Sequence, residues 1–369
     1  MYIITFGLSL LFLRLAEKNK YNRVKSLFII LAILLPSILA GVRDYSIGHD
    51  VLIYGKSWFE RACTYNSYVD YIKKANEYSI GVGYATLNYV VSRFSNSTHM
   101  FLFVYQLIQM TILYYAIKPF EKKISIVFAF FIYYFAYYNI SLNLLRQIMS
   151  MMLVLFSYRY IIGKKPIRFI AVILVAYSMH STAIIALVLY PVSWAVKNPK
   201  LKKIFKVAIV ALCAVFAFGY QKIFEIMMAS MNILSLERYS HYMTDGDIGG
   251  RYVRLIYWSI LLFIIYWKRK ECISEYSDSV TMQMYMIVSG LLTIIMFLGS
   301  SWSVRVAYYF DMFQILFLPI LVKTLPFKWG NKRNNASYFV LGLFVIIFWV
   351  FNFVIRNGAA TFPYIFMKG

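Results

Sequence analysis

Arg43, Asp44 and Asp50 stand close together in "GVRDYSIGHDVLIY", directly after an apolar run. Asn143, Arg146 and Gln147 interrupt a second apolar stretch, "NISLNLLRQIM". His180 sits in "AYSMHSTAIIAL", and Arg305 opens "RVAYYF". Guanidinium groups are permanent cations with donors in a fixed fork, which suits them to gripping an anion. A charge inside a membrane helix costs about 2.5–3.5 kcal/mol to insert, so each of these arginines asks for a compensating role. An anionic ligand would supply one. Blander readings stand beside it. Arg43 and Arg305 could reach up to headgroups, Asn139 and Ser141 could cap helices, and His180 could be a hydrogen-bonded hinge residue. Capping does not account for Asn143, Arg146 and Gln147, which fall at i, i+3 and i+4, on one face of a continuous helix.

The elements that must carry these residues follow from composition. Of 369 residues, 61% are hydrophobic and 14% charged, and mean hydropathy is +0.65. Too little charge remains to cover a soluble core, so the chain reads as an integral membrane protein. Backbone groups in lipid must be satisfied internally, which favours helices here over barrel strands. The expected fold is an all-α polytopic membrane protein forming a single transmembrane domain over residues 1–369. Apolar windows between basic interruptions give about 12 spans (range 10–12), starting near residues 2, 26, 100, 124, 142, 167, 181, 204, 253, 281, 306 and 337. Met1–Leu13 lacks a basic segment before it and reads as a first span rather than a cleaved signal.

The net charge of +23 is read as an orientation signal, and nucleic acid is not an expected partner. With residues 14–25 in the cytoplasm, alternation puts 24 of the 38 Lys and Arg residues on that side, as the positive-inside rule requires. The unusual polar residues then gather at the opposite face: Arg43, Asp44, Asp50, Asn143, Arg146, Gln147, His180, Arg238, His241, Arg251, Arg254 and Arg305. Two outer loops, 43–98 and 226–252, frame that face. The first contains "IGVGYATLNYVVSRF", which fits a re-entrant or interfacial helix. Cys63, Cys213 and Cys272 are separated by the bilayer and pair with nothing. The 64 Tyr and Phe residues are expected largely in interfacial belts. "TDGD", with Asp245 and Asp247, reads as a turn before it reads as a metal site.

These residues carry a resemblance. "GVRDYSIGHDVLIY" is similar to the arginine, glycine, aspartate and tyrosine signature at the second span of the EpsG/Wzy-type bacterial polysaccharide polymerases. "NLLRQIM" resembles their N-x-x-R-Q element, "MHSTAII" their histidine segment, and "RVAYYF" a later arginine motif. The ordered set spans residues 40 to 310. The chain departs from the pattern with Met179 for an aromatic, Thr182 where alanine or serine is commoner, and Glu77 four residues ahead of the usual glutamate.

What the resemblance implies is a GT-C-like membrane glycosyltransferase in the bacterial cytoplasmic membrane, with its active site facing the periplasm or exterior. It would join oligosaccharide repeat units carried on undecaprenyl diphosphate into O-antigen, capsular or exopolysaccharide chains. Arg146 and Arg305, supported by Arg43, would neutralise the departing diphosphate, so no metal or cofactor is expected. His180 is the first candidate base, with Asp50 or Asp44 the second. Asn143 and Gln147 would orient oxygens, and Tyr54 would stack on sugar. Membrane lipids, a chain-length regulator and a flippase are the implied partners. Three other readings remain open: a flippase or transporter for lipid-linked sugars, an O-antigen ligase with the same donor chemistry, and a metal-dependent transferase using the acidic pairs.

Overall fold

The computed structural model describes residues 1–198, 200, 201, 204, 207, 208, 248–297, 302–329, 332, 333 and 335–367. The chain divides into two compact units, Met1–Ala186 with Phe327–Gly369, and Leu187–Pro326. Among the described residues the only sheet is a pair of two-residue strands, Lys328–Trp329 against Lys332–Arg333. Everything else that is regular is helical.

The first unit is built on long helices joined by short reversals: α1 (Tyr2–Lys18), α2 (Asn22–Gly41), α6 (Thr98–Ile117), α7 (Ile126–Tyr133), α8 (Asn139–Asn143), α9 (Leu145–Ile162), α10 (Pro166–Met179) and, after the second unit, α16 (Asn335–Trp349). Between α2 and α6 lie three short helices, α3 (Ser57–Thr64), α4 (Tyr68–Glu77) and α5 (Val82–Ser92). α5 occupies the place expected for a re-entrant or interfacial helix. It packs within a cluster around Tyr71, Tyr84, Phe101 and Tyr105, all buried. The basic connections before α2, α7 and α16 come together at one end of this unit. A cavity of about 650 Å³ there is lined by Arg14, Lys25, Glu121 and Asn335. Arg43 and Asn143 close their helices at the other end.

Pro36 shows how the helices are tied. Inside α2 it lacks the N–H that Ala32 would otherwise receive. The Ser9 hydroxyl of α1 donates to the Ala32 carbonyl at 2.7 Å, and Ser9 is hydrogen-bonded to the Tyr134 hydroxyl. In an apolar bundle such side-chain donors satisfy the carbonyl that proline orphans. Tyrosines do this repeatedly: Tyr138 donates to the Pro36 carbonyl, Tyr105 to Leu145 and Tyr71 to Trp58. The expectation of interfacial belts is therefore corrected for many of them. Tyr71, Tyr84, Tyr105, Tyr133, Tyr134, Tyr138 and Tyr158 are among the largest fully buried side chains. A phenol can be buried where its one donor finds a backbone acceptor.

The second unit contains α11 (Leu189–Lys197), α12 (Ile248–Glu275), α13 (Ser279–Phe297), α14 (Trp302–Asp311) and α15 (Gln314–Thr324). The last two meet at a 56° bend.

Among the described residues, four helical runs are long and apolar enough to cross a membrane: Asn22–Gly41, Thr98–Phe120, Ile126–Asn143 and Asn335–Ile355. Counting the bent pair as one span makes five. The chain is a helical membrane protein. The hydropathy starts do coincide with helices, but several of those helices are short, as α10 is with 14 residues. Most of the span expected from near 204 and most of the loop 226–252 lie outside the described residues.

Candidate active site

The segment that follows α2 is fixed before it reaches Asp50. Asp44 accepts hydrogen bonds from the Ser46 backbone N–H at 2.9 Å and hydroxyl at 2.7 Å, which closes a turn. Gly48 has φ +91°, and a Cβ there would lie 2.4 Å from the Leu142 carbonyl oxygen. Only glycine allows that backbone to rest on the end of α8. The Asp50 N–H then donates to Asn143 Oδ1 at 3.2 Å.

Leu144, with ψ 63°, breaks the helix there. Asn143 therefore ends one helix while Arg146 and Gln147 begin the next, so the three do not form a stripe on one continuous helix. Asn139 and Ser141 are not caps either. Asn139 lies inside the helical run and bonds to Thr361 and Trp349, and Ser141 donates back to the Tyr138 carbonyl.

Arg43 is 1% exposed. Its Nε and Nη1 have no hydrogen-bond partner. The phenols of Tyr138, Tyr2, Tyr364 and Tyr84 act on it electrostatically. Arg146 lies with its guanidinium carbon 3.9 Å from the centre of the Tyr54 ring, and its buried Nε also lacks a partner. Tyr54 belongs to a π-helical turn, Val51–Lys56, and its carbonyl accepts the Tyr84 hydroxyl at 2.8 Å. Tyr54 thus holds Arg146 by a cation–π contact. The buried Tyr84 thereby ties α5 to the turn that holds Arg146.

The segment leading to His180 is met by a pair of glycines. A Cβ on Gly81 would lie 2.3 Å from the Ser178 carbonyl oxygen, and one on Gly83 2.3 Å from Ser178 Oγ. The last turn of α10 is thus in direct contact with the start of the helix that carries Tyr84. α9 leaves the cluster from Arg146, α10 returns antiparallel to it, and His180 follows the last residue of α10. His180 Nδ1 is hydrogen-bonded to Thr182 Oγ1 at 2.7 Å. The departure at Thr182 gives the imidazole a fixed local partner.

The structure thus gathers Arg43, Asp50, Tyr54, Asn143, Arg146 and His180 at one end of the first unit. Gln147 is buried on α9 beside Arg146. Asp44 is there too, but its carboxylate is committed to a turn. Arg305 lies on α14, in the second unit. Arg254, grouped with the anion-binding arginines by topology, is instead ion-paired with Asp311 at 2.8 Å. Arg238, His241, Asp245 and Asp247 lie outside the described residues. Cys63 and Cys272 are free thiols. Among the described residues no group of three or more His, Cys, Asp or Glu side chains is placed to hold a metal ion.

Sequence reasoning missed Tyr84, Asp311 and Thr361. The tyrosine was signalled by the glycines of "IGVGYATLN", and the aspartate by its place directly after "RVAYYF" in an apolar run. Nothing local marks Thr361.

No curated protein and no solved structure matches the chain. The EpsG family description matches residues 26–366, nearly the whole chain and every described element of the cluster. The chain belongs to the EpsG family, a family of Wzy-type polymerases, and its role is of the polysaccharide-polymerase type.

Proposed function

We propose that the protein joins oligosaccharide repeat units carried on undecaprenyl diphosphate, at the outer leaflet of a bacterial cytoplasmic membrane, by direct transfer of the growing glycan to a sugar hydroxyl of the next unit. The observation that carries this reading is a buried guanidinium, Arg43, with two nitrogens unpartnered, at the same end of the first unit as Arg146, whose buried Nε is also unpartnered. Unpaired buried cations are costly, and a diphosphate is the ligand whose charge and oxygens match a pair of forks. The basic connections lie at the opposite end of the unit, which supports an outward-facing cluster under the positive-inside rule.

In this reading the acceptor oxygen attacks the anomeric carbon as the bond to phosphate breaks. The bonding pair leaves with the diphosphate, where Arg43 and Arg146 stabilise it. The hydroxyl proton passes to a ring nitrogen of His180, with Asp50 the next acceptor in line. Asn143 orients the Asp50 backbone, and Gln147 lies one residue from Arg146 to hold oxygen. Direct displacement inverts the anomeric centre. The arginines do the work of charge neutralisation that a divalent cation performs elsewhere. The twelve-span, GT-C-like architecture of the whole chain belongs to the same proposal.

The test is a surface-glycan ladder from cells carrying Arg146→Ala or Arg146→Lys. The reading expects the variant protein in the membrane, single repeat units present and long chains absent for both. A normal ladder from Arg146→Ala overturns it.

A further inference from the structure

The segment Asn357–Met367, beyond the motifs read from the sequence, lies against the residues around Arg43. Three backbone hydrogen bonds bind it to the residues around Arg43. Asp44 N–H donates to the Ile365 carbonyl at 2.9 Å, Met367 N–H to the Val42 carbonyl at 2.8 Å, and Gly48 N–H to the Ala360 carbonyl at 2.8 Å. Arg43 itself is bridged antiparallel to Phe366. The backbone on either side of the arginine is therefore clamped, which sets where its side chain enters the bundle.

The clamp is itself anchored at Thr361, which is fully buried. Its carbonyl accepts the Tyr2 hydroxyl at 2.6 Å. Its hydroxyl accepts Asn139 Nδ2 at 2.8 Å, and Asn139 Oδ1 accepts the Trp349 indole N–H at 2.8 Å. Asn357 Oδ1 holds the turn by accepting the N–H groups of Thr361 and Phe362. Asn139 and Asn143 are one turn apart on α8. The first grips Thr361, the second grips the Asp50 N–H, and Ala360 meets Gly48 between them. A closed ring runs Asn139, Thr361, Ala360, Gly48, Asp50, Asn143. A chain of bonds that closes on itself fixes register more firmly than separate contacts do.

From this geometry we infer that Thr361, held by Asn139, is a positioning residue of the polymerase site: the C-terminal segment sets the placement of Arg43 against the diphosphate leaving group. The inference rests on the proposed function. A residue that only stabilised the fold would change the amount of active protein. A residue that places a leaving-group contact changes the chemical step, since small misplacements at a reacting centre are amplified in rate.

The experiment uses the full-length protein in detergent or nanodiscs with a lipid-diphosphate oligosaccharide as substrate, its rates normalised to folded protein by size exclusion. Thr361→Val removes the hydroxyl that accepts from Asn139 while keeping the side chain's shape. The expected result is a kcat lower by about tenfold with donor KM within about twofold. Thr361→Ser, which keeps the acceptor, restores kcat to within about twofold of the native value. Native kcat for Thr361→Val, a loss confined to KM, or equal losses for the valine and serine variants would overturn the inference. If Thr361→Val protein does not accumulate, Tyr364→Phe serves instead. It breaks the bond from the Tyr364 hydroxyl to the Leu39 carbonyl and must show the same loss in kcat at unchanged KM. The two readings separate cleanly. An active Arg146→Ala removes the polymerase site and the positioning role with it, whereas an inactive Arg146→Ala beside a fully active Thr361→Val removes only the role of the C-terminal segment.

Discussion

The two units bury arginine in opposite ways. In the second unit Arg254 bonds through Nη2 to Asp311 at 2.8 Å and through Nη1 to the Tyr308 hydroxyl at 3.2 Å. Asp311 also accepts from Ser289 at 2.7 Å and from Gln314 at 3.3 Å. Charge is cancelled by a carboxylate that also accepts from Ser289 and Gln314, so four helices are knitted together around the pair. In the first unit Arg43 is buried still more deeply, among tyrosines and without a carboxylate hydrogen-bonded to it. A pair closed on itself has no capacity for a ligand. A guanidinium with no carboxylate bonded to it has that capacity, at a standing cost in stability. The difference separates an arginine that builds the fold from one that the fold is built to present.

Stability measurements break or sharpen that contrast most strongly. Arg254→Met strands Asp311 in the interior and should cost about 3–5 kcal/mol, read as a drop in detergent thermal unfolding temperature or loss of folded yield. Arg43→Met removes a charge with no partner and should leave thermal stability equal or higher while abolishing elongation. Equal destabilisation by the two substitutions would show that Arg43 has a structural counterion after all.

The activity arm comes next. Arg146→Ala should lower the elongation rate about 10²–10³-fold, the range seen when a transition-state donor is removed, measured as polymer formed per folded protein. Arg146→Lys should recover little of it, because an ammonium lacks both the planar face that stacks on Tyr54 and the paired donors.

Glycine contacts give a third, smaller comparison. Gly48→Ala puts a Cβ against the Leu142 backbone at positive φ, where nothing can yield. It should cost about 1–3 kcal/mol, and elongation should fall as the Asp50 loop lifts from Asn143. Gly290→Ala, in the second unit, meets the tip of the Leu262 side chain at 2.4 Å. That side chain can turn aside, so the loss in unfolding temperature should be smaller and elongation should be retained.

What the sequence made legible follows from the range of the forces involved. Arg43, Asp50, Tyr54, Asn143, Arg146 and His180 could be picked out because charge and amide groups in apolar runs are conspicuous, and they do lie together. The pairing of Arg254 with Asp311 joins residues 57 positions apart, and the tie from Asn139 to Thr361 spans 222. No periodicity encodes either. The helix break at Leu144 was hidden because leucine is an ordinary helix former. Buried tyrosines escaped for a similar reason. Composition suggests an interfacial residue, and only the fold supplies the carbonyls that let it go inside.

The smallest effect tests whether the helix ties of the first unit are independent of its chemistry. Ser9 sits on α1, far along the helix from Tyr2, with its hydroxyl on the Ala32 carbonyl that Pro36 leaves without a donor. Ser9→Ala strips that carbonyl and also takes the acceptor from the buried Tyr134 hydroxyl. A lost buried hydrogen bond costs about 1 kcal/mol net, and more where a polar atom stays stranded. Because Pro36 fixes the orphan carbonyl, Ser9→Thr should keep the bond and the unfolding temperature. Ser9→Ala should lower that temperature by a few degrees and leave the elongation rate per folded molecule unchanged. A rate that falls with Ser9→Ala would mean that the bundle around Pro36 and the Arg43 cluster move together, and the separation between holding the fold and presenting the guanidinium would have to be redrawn inside the first unit itself.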